Sequence, residues 1–211
     1  KKLILALVAM VLSVGLISAQ DMAQATELAK TGNDALGAQN YTEALDYFQQ
    51  ALAMAEQLEG DEASALVETC KGIIPSISLE IAKGLIKEKK YEDALVKIEE
   101  VKKIAEDYEA FDVLDTAEKF VPQIWKMKAN DAFQIKDYAA AVESFEKAYA
   151  IDTTDAKTAM TIGQIYAISA AITVKASNPE FTAVKQPDNS LKVTMQTLYL
   201  VPKVFIDING N

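Results

Sequence analysis

The chain has 211 residues, enough for one elongated domain or one and a half compact ones. Half of them are apolar and a quarter charged, a folded composition too hydrophobic for a disordered chain. The net charge of −10 argues against nucleic acid and anionic lipid as partners, and the absence of His removes the usual general base and the commonest zinc ligand.

Every cation is a Lys, so no guanidinium fork is available for phosphate or carboxylate. Lys1 and Lys2 precede an apolar run, Leu3 to Ala19, that ends in small residues. This reads as a signal peptide over residues 1–19, cleaved before Gln20. The alternative is an inner-membrane anchor through residues 3–19, a run at the short end of the ~20 residues that span a bilayer. No Cys lies near the cleavage region, which disfavours a lipoprotein. The expected location is periplasmic or secreted.

From Ala23 to Glu59, Leu28, Gly32 and Ala35 recur at helical spacing, Asn40-Tyr41 marks a break, and Ala44, Phe48 and Ala51 follow. Gly60-Asp61 then stops the second helix and starts the next element. The single Cys70, between Val67 and Ile74, is expected to be a buried structural thiol. A second copy of the helix pair runs from Pro75 to Ala105, with Ile81, Ala82 and Leu85 before Lys90-Tyr91 and Ala94, Leu95, Ile98 and Val101 after it. A third runs from Gln123 to Ile151. Trp125, Ala129, Ala132 and Phe133 precede Lys136-Asp137, and Tyr138, Ala141, Val142, Phe145 and Ala148 follow. A fourth begins at Thr154-Asp155, a helix N-cap, with Ala159, Ile162, Gly163 and Tyr166. The pattern stops after about Ala171.

The order aromatic, small, small, break, Tyr, Ala, Phe, Ala in Gln123 to Ile151 resembles a tetratricopeptide repeat (TPR). The resemblance covers roughly residues 23–171. It implies an all-α, right-handed solenoid of antiparallel helix pairs over residues 20–172. The period departs from the family's ~34 residues. Tyr91 to Tyr138 is 138 − 91 = 47, and Tyr41 to Tyr91 is 91 − 41 = 50. The added residues have their own register: Ala65–Thr69 with Pro75 matches Asp112–Thr116 with Pro122, and 122 − 75 is again 47. Each addition is expected to lengthen the first helix, kinked at its Pro, or to form a separate short helix.

Residues 173–211 differ in composition, with Pro179, Pro187 and Pro202 and β-branched runs. An irregular tail, a pair of strands around Gln186–Asn189, disorder, or a reading-frame slip near Ala171 would each account for it.

No Gly-rich phosphate loop, Cys pair or His-based set is present, so no catalytic, cofactor or metal residues are expected. The pairs Glu92-Asp93 and Glu99-Glu100 read as solvated helix surface. Tyr41, Tyr91, Tyr138, Phe48, Phe145 and Trp125 read as core, as do the small residues Gly32, Ala82, Ala129 and Gly163 where helices approach. The TPR resemblance implies a concave groove lined by the first helices, which here places Asn33, Leu36, Lys83, Lys126, Asn130, Phe133 and Gln164 inside it. A carboxylate clamp matches only in part, since Ala29 and Leu79 replace the cations it needs. The expected function is a non-catalytic protein- or peptide-binding scaffold of a bacterial cell envelope, Bacteroidetes-like in composition. The alternatives are an accessory glycan-binding protein and an outer-membrane assembly component.

Overall fold

A computed structural model describes residues 2–177, 182–185 and 191–194, with side-chain environments given for residues 19–170. Seven helices are described: α1 Lys2–Gly37, α2 Tyr41–Ala55, α3 Asp61–Lys87, α4 Tyr91–Asp107, α5 Phe111–Gln134, α6 Tyr138–Ile151 and α7 Ala156–Ser177. Two short strands, β1 Thr182–Lys185 and β2 Leu191–Thr194, pair antiparallel with Thr182 opposite Thr194. They flank the Gln186–Asn189 segment anticipated as a turn. The rest of the tail, and the frame slip, lie outside the described residues.

The breaks fall where the sequence puts them, before Tyr41, Tyr91 and Tyr138. Each pair closes with the same backbone device. Gln39, Lys89 and Lys136 take left-handed φ values of 62°, 60° and 65°, and Glu109 does so between α4 and α5. The next N–H reaches back to a carbonyl five residues earlier: Asn40 to Ala35, Lys90 to Leu85, Ala110 to Ala105 and Asp137 to Ala132. This six-residue closure satisfies carbonyls that the helix end leaves open. None of the four left-handed residues is Gly.

The added segments extend the first helices; they are not separate. Pro75 lies inside α3 and Pro122 inside α5. Each long helix serves two hydrophobic clusters. Leu66, Val67, Cys70, Ile74 and Ile77 of α3 pack with Leu45, Phe48 and Leu52 of α2, whereas Leu79, Ala82, Leu85 and Ile86 join the cluster of Tyr91, Ala94, Ile98 and Val101 on α4. Likewise Val113, Ala117 and Ile124 of α5 pack on α4, while Ala129 and Ala132 join Ala141, Val142 and Phe145 of α6. Ile162 and Ile165 of α7 close that third cluster.

The chain divides into two compact units, residues 1–124 and 125–211. In the first, a Cβ on Gly32 would lie 3.0 Å from Phe48 Cδ2, so α1 and α2 approach there more closely than a side chain fits without a shift. Gly163 differs. A Cβ there would meet nothing within 4 Å, because no described helix follows α7 to press against it. The close-approach role expected for Gly163 is therefore corrected. Cys70 is fully buried, and its burial raises the thiol pKa, which makes it inert at neutral pH. Among the residues whose side chains are described, no helix is long and apolar enough to cross a membrane.

Candidate binding groove

The seven residues assigned to the groove divide between the two units, three in the first and four in the second. In the first unit, Asn33 is exposed on α1 and its side-chain amide makes no hydrogen bond among the described residues. Leu36 is half-buried and packs on the α1–α2–α3 cluster, so its side chain contributes to the core. Lys83 is also half-buried. Its ammonium donates to Glu80 at 2.6 Å and lies 5.8 Å from the centroid of the Phe120 ring. Ala29 and Leu79, where a carboxylate clamp would carry cations, are buried at 7% and 5% exposure, so the clamp has no place here.

In the second unit, Lys126 donates to Asp155 Oδ2 at 2.6 Å across 29 residues of sequence. Asp155 also accepts from the Thr158 N–H at 3.0 Å and the Thr158 hydroxyl at 2.7 Å, capping the first turn of α7. The Lys126 ammonium and the two Thr158 donors hold the Asp155 carboxyl well below the usual carboxylate range. Lys126 is thus engaged in docking α7. The side-chain amides of Asn130 and Gln164 are exposed and make no hydrogen bond among the described residues. Phe133 is 38% exposed and meets Tyr138 edge-on, 5.6 Å between centroids. Met127 and Met160, which the sequence did not single out, are 44% and 60% exposed on α5 and α7.

Trp125 is corrected from core to half-buried. Two ammonium groups lie over its ring, Lys128 at 5.3 Å and Lys147 at 4.6 Å from the centroid. Such contacts are worth about 0.5–1 kcal/mol at exposed sites. Lys147 also donates to Glu143 at 2.7 Å, which lowers the Glu143 pKa. A second tertiary tie joins α7 to α6, where the Tyr166 hydroxyl donates to Glu146 at 2.8 Å and is itself pushed up in pKa.

A feature absent from the sequence reading is an open cleft of about 610 Å³ in the first unit, between the α1–α2 turn and the C-terminal half of α3. Among the described residues no group of three or more His, Cys, Asp or Glu side chains could hold a metal ion.

No protein-family profile matches the chain. No curated protein matches it either. Among solved structures it is similar to the Sgt2 TPR domain from Aspergillus fumigatus, at 15% identity over 79% of this chain and 91% of that one, TM-score 0.25. It is also similar to the C-terminal TPR-containing domain of a Plasmodium falciparum protein described as FK506-binding, at 16% identity over 76% of this chain and 95% of that one, TM-score 0.26.

Proposed function

We propose that the chain is a non-catalytic scaffold, exported to the cell envelope, that binds an extended protein or peptide segment on its first helices. One observation carries this reading. Within the second unit, Asn130 on α5 and Gln164 on α7 each present an exposed side-chain amide with no hydrogen-bond partner among the described residues. An amide both donates and accepts, which is what an extended main chain needs from a partner. In the second unit the exposed Phe133 stands one helical turn from Asn130 and supplies apolar area beside it.

The lysines do not lead recognition in this reading. Lys83 and Lys126 are committed to Glu80 and Asp155, so a ligand carboxylate would have to displace an existing ion pair. Affinity then rests on the amides and Phe133, and falls in the micromolar range or weaker. The ammonium groups over the Trp125 ring leave it poorly placed to stack on a sugar, which weighs against glycan binding.

A phage-displayed random peptide library, panned on residues 20–211, tests the assignment. Enriched peptides should lose binding to Asn130→Ala with Phe133→Ala and keep it to the exposed α6 variant Ala139→Ser. Equal binding to both variants would move the site off α5. Export is tested by expressing the full chain in a bacterial host: a periplasmic product that begins at Gln20 is expected. A full-mass product in the membrane fraction would favour the anchor, and one in the cytosol would remove the envelope assignment.

A further inference from the structure

α7 is apolar on more sides than its packing uses. Ile162 and Ile165 join the α6 cluster, and Thr158 is buried beside Asp155. The opposite side, at the same helical spacing, carries Met160, Gly163, Ala167 and Ala170. Met160 is 60% exposed there, and Ile168 on the flank 38%. The only charged residue of α7 before Lys175 is Lys157. A surface helix turns polar residues to water, and one that is apolar all round is a buried helix. Yet no described helix follows α7 to pack on this side, and a Cβ on Gly163 would meet no atom within 4 Å.

The chain carries a segment suited to cover it. Residues 195–211 hold the apolar runs 198–201 and 204–206, and their only charges are Lys203 and Asp207, against a quarter of the chain as a whole. The hairpin of β1 and β2 delivers this segment to α7. Thr182 follows Ser177, the last residue of α7, by 182 − 177 = 5 residues, and pairs with Thr194. Residue 195 therefore starts within about 30 Å of the end of α7, from ~3.6 Å per residue of link and ~5 Å across the strand pair. Met160 lies 177 − 160 = 17 residues back along the helix, about 26 Å. The 211 − 194 = 17 residues beyond Thr194 reach about 56–61 Å when extended, enough for both distances. A second copy is the competing cover. Each copy has a net charge of −10, however, and segments already joined in one chain meet at high effective concentration without that repulsion.

We propose that residues 198–211 lie along the Met160, Gly163 and Ala167 side of α7 and close the helical array in place of a further helix. The ends of such arrays need a cover, because each unit buries its apolar face only against a neighbour. Gly163 and Ala167 have little bulk, so an extended main chain can approach the helix closely between Met160 and Ile168. Gln164 stands in that same stretch, so the segment competes for its amide with a peptide bound in the groove. The cover is read without any added peptide, so its failure and that of the groove are distinct.

The test is photo-cross-linking in the purified 211-residue chain, with benzoylphenylalanine replacing Met160 in one protein and Ala167 in another. Glu62, exposed on α3, takes the same group as the control. After irradiation and proteolysis, mass spectrometry should find the groups at 160 and 167 joined to residues 195–211 of the same chain, and the group at 62 not. Leu200→Asp with Phe205→Asp should cut that yield about tenfold or more, since a carboxylate is costly to bury against an apolar face. Circular dichroism confirms that each variant is folded. The proposal is overturned by a product of doubled mass, which would make a second copy the cover, or by a cross-link to any other segment. It is equally overturned by no cross-link from either position, or by a yield that survives the double substitution.

Discussion

Replacing Gly32 with Ala pits two effects of known size against each other. Ala is the better helix former by about 0.8–1.0 kcal/mol in an exposed helix interior. At this position the added methyl would lie 3.0 Å from Phe48 Cδ2, 3.1 Å from Phe48 Cε2 and 3.3 Å from Tyr47 Cβ. Phe48 is fully buried among Leu45, Leu52, Ile74 and Ile77, so its ring has nowhere to retreat. Overpacking of this kind costs about 1–3 kcal/mol. The clash therefore wins, and Gly32→Ala should destabilise by up to about 2 kcal/mol net. Phe48→Leu alone should also destabilise, because it opens space in a dense cluster. Combined, the two changes should cost less than their sum, with a coupling of about 1 kcal/mol or more. Urea unfolding followed by far-ultraviolet circular dichroism, with the slope checked for constancy, measures all four corners of the cycle. If Gly32→Ala is more stable than the parent by the full propensity gain, α1 and α2 do not meet at this point and the packing argument fails.

The left-handed residues give a prediction of opposite sign. Gln39→Gly, Glu109→Gly and Lys136→Gly should each stabilise by about 0.5–1 kcal/mol, because Gly takes φ near +60° without strain, and thermal melting would show it. Asp155 predicts an acid limb. Its carboxyl is held below its ordinary pKa in the folded chain, so it contributes stability above pH ~4, and that contribution is lost as pH falls below this. Melting curves from pH 6 to pH 2 should therefore lose part of their acid slope in Asp155→Asn, and an unchanged slope would mean that the Lys126 pair does not persist in solution. Ala141→Asp should cost about 3 kcal/mol or more by burying an unpaired carboxylate at a fully buried position, and an unchanged melting midpoint would show that Ala141 is not at a helix contact.

The periodic residues made most of the fold legible. Tyr41, Tyr91 and Tyr138 each open a second helix because a helix break and an apolar period leave a clear local trace. Ala44, Ala94, Ala129 and Ala141 are all fully buried, as small residues at close contacts should be. Pro75 and Pro122 marked the lengthened helices through their shared register. What the sequence could not carry was tertiary pairing. Nothing local in Lys126 announces Asp155, 29 residues away, and nothing in Trp125 announces the ammonium groups of Lys128 and Lys147. Both candidate groove lysines, Lys83 and Lys126, are thus engaged in ion pairs that the sequence does not reveal. Gly163 was misread because its close approach needs a following helix, and no described helix packs on α7 from that side. Asn33, Asn130 and Gln164 are exposed, as polar residues between core positions of an amphipathic helix face water.

Because each long helix belongs to two clusters, the turns are the wrong places to cut the molecule. A deletion bounded by turns would strip half of a helix from a cluster that still needs it. The natural cassette runs from mid-helix to mid-helix. Pro75 and Pro122 occupy equivalent positions, so removing residues 76–122 would join Pro75 to Gln123 in unchanged register. The spliced helix would keep Cys70 and Ile74 for α2 at one end and Ala129 and Ala132 for α6 at the other. Duplicating the same 47 residues would lengthen the array by one α4-type helix and the two half-helices that embrace it. A crossover in the middle of a helix would therefore add or remove one α4-centred cluster, with Ile124 taking the place of Ile77, 47 residues earlier, beside α2.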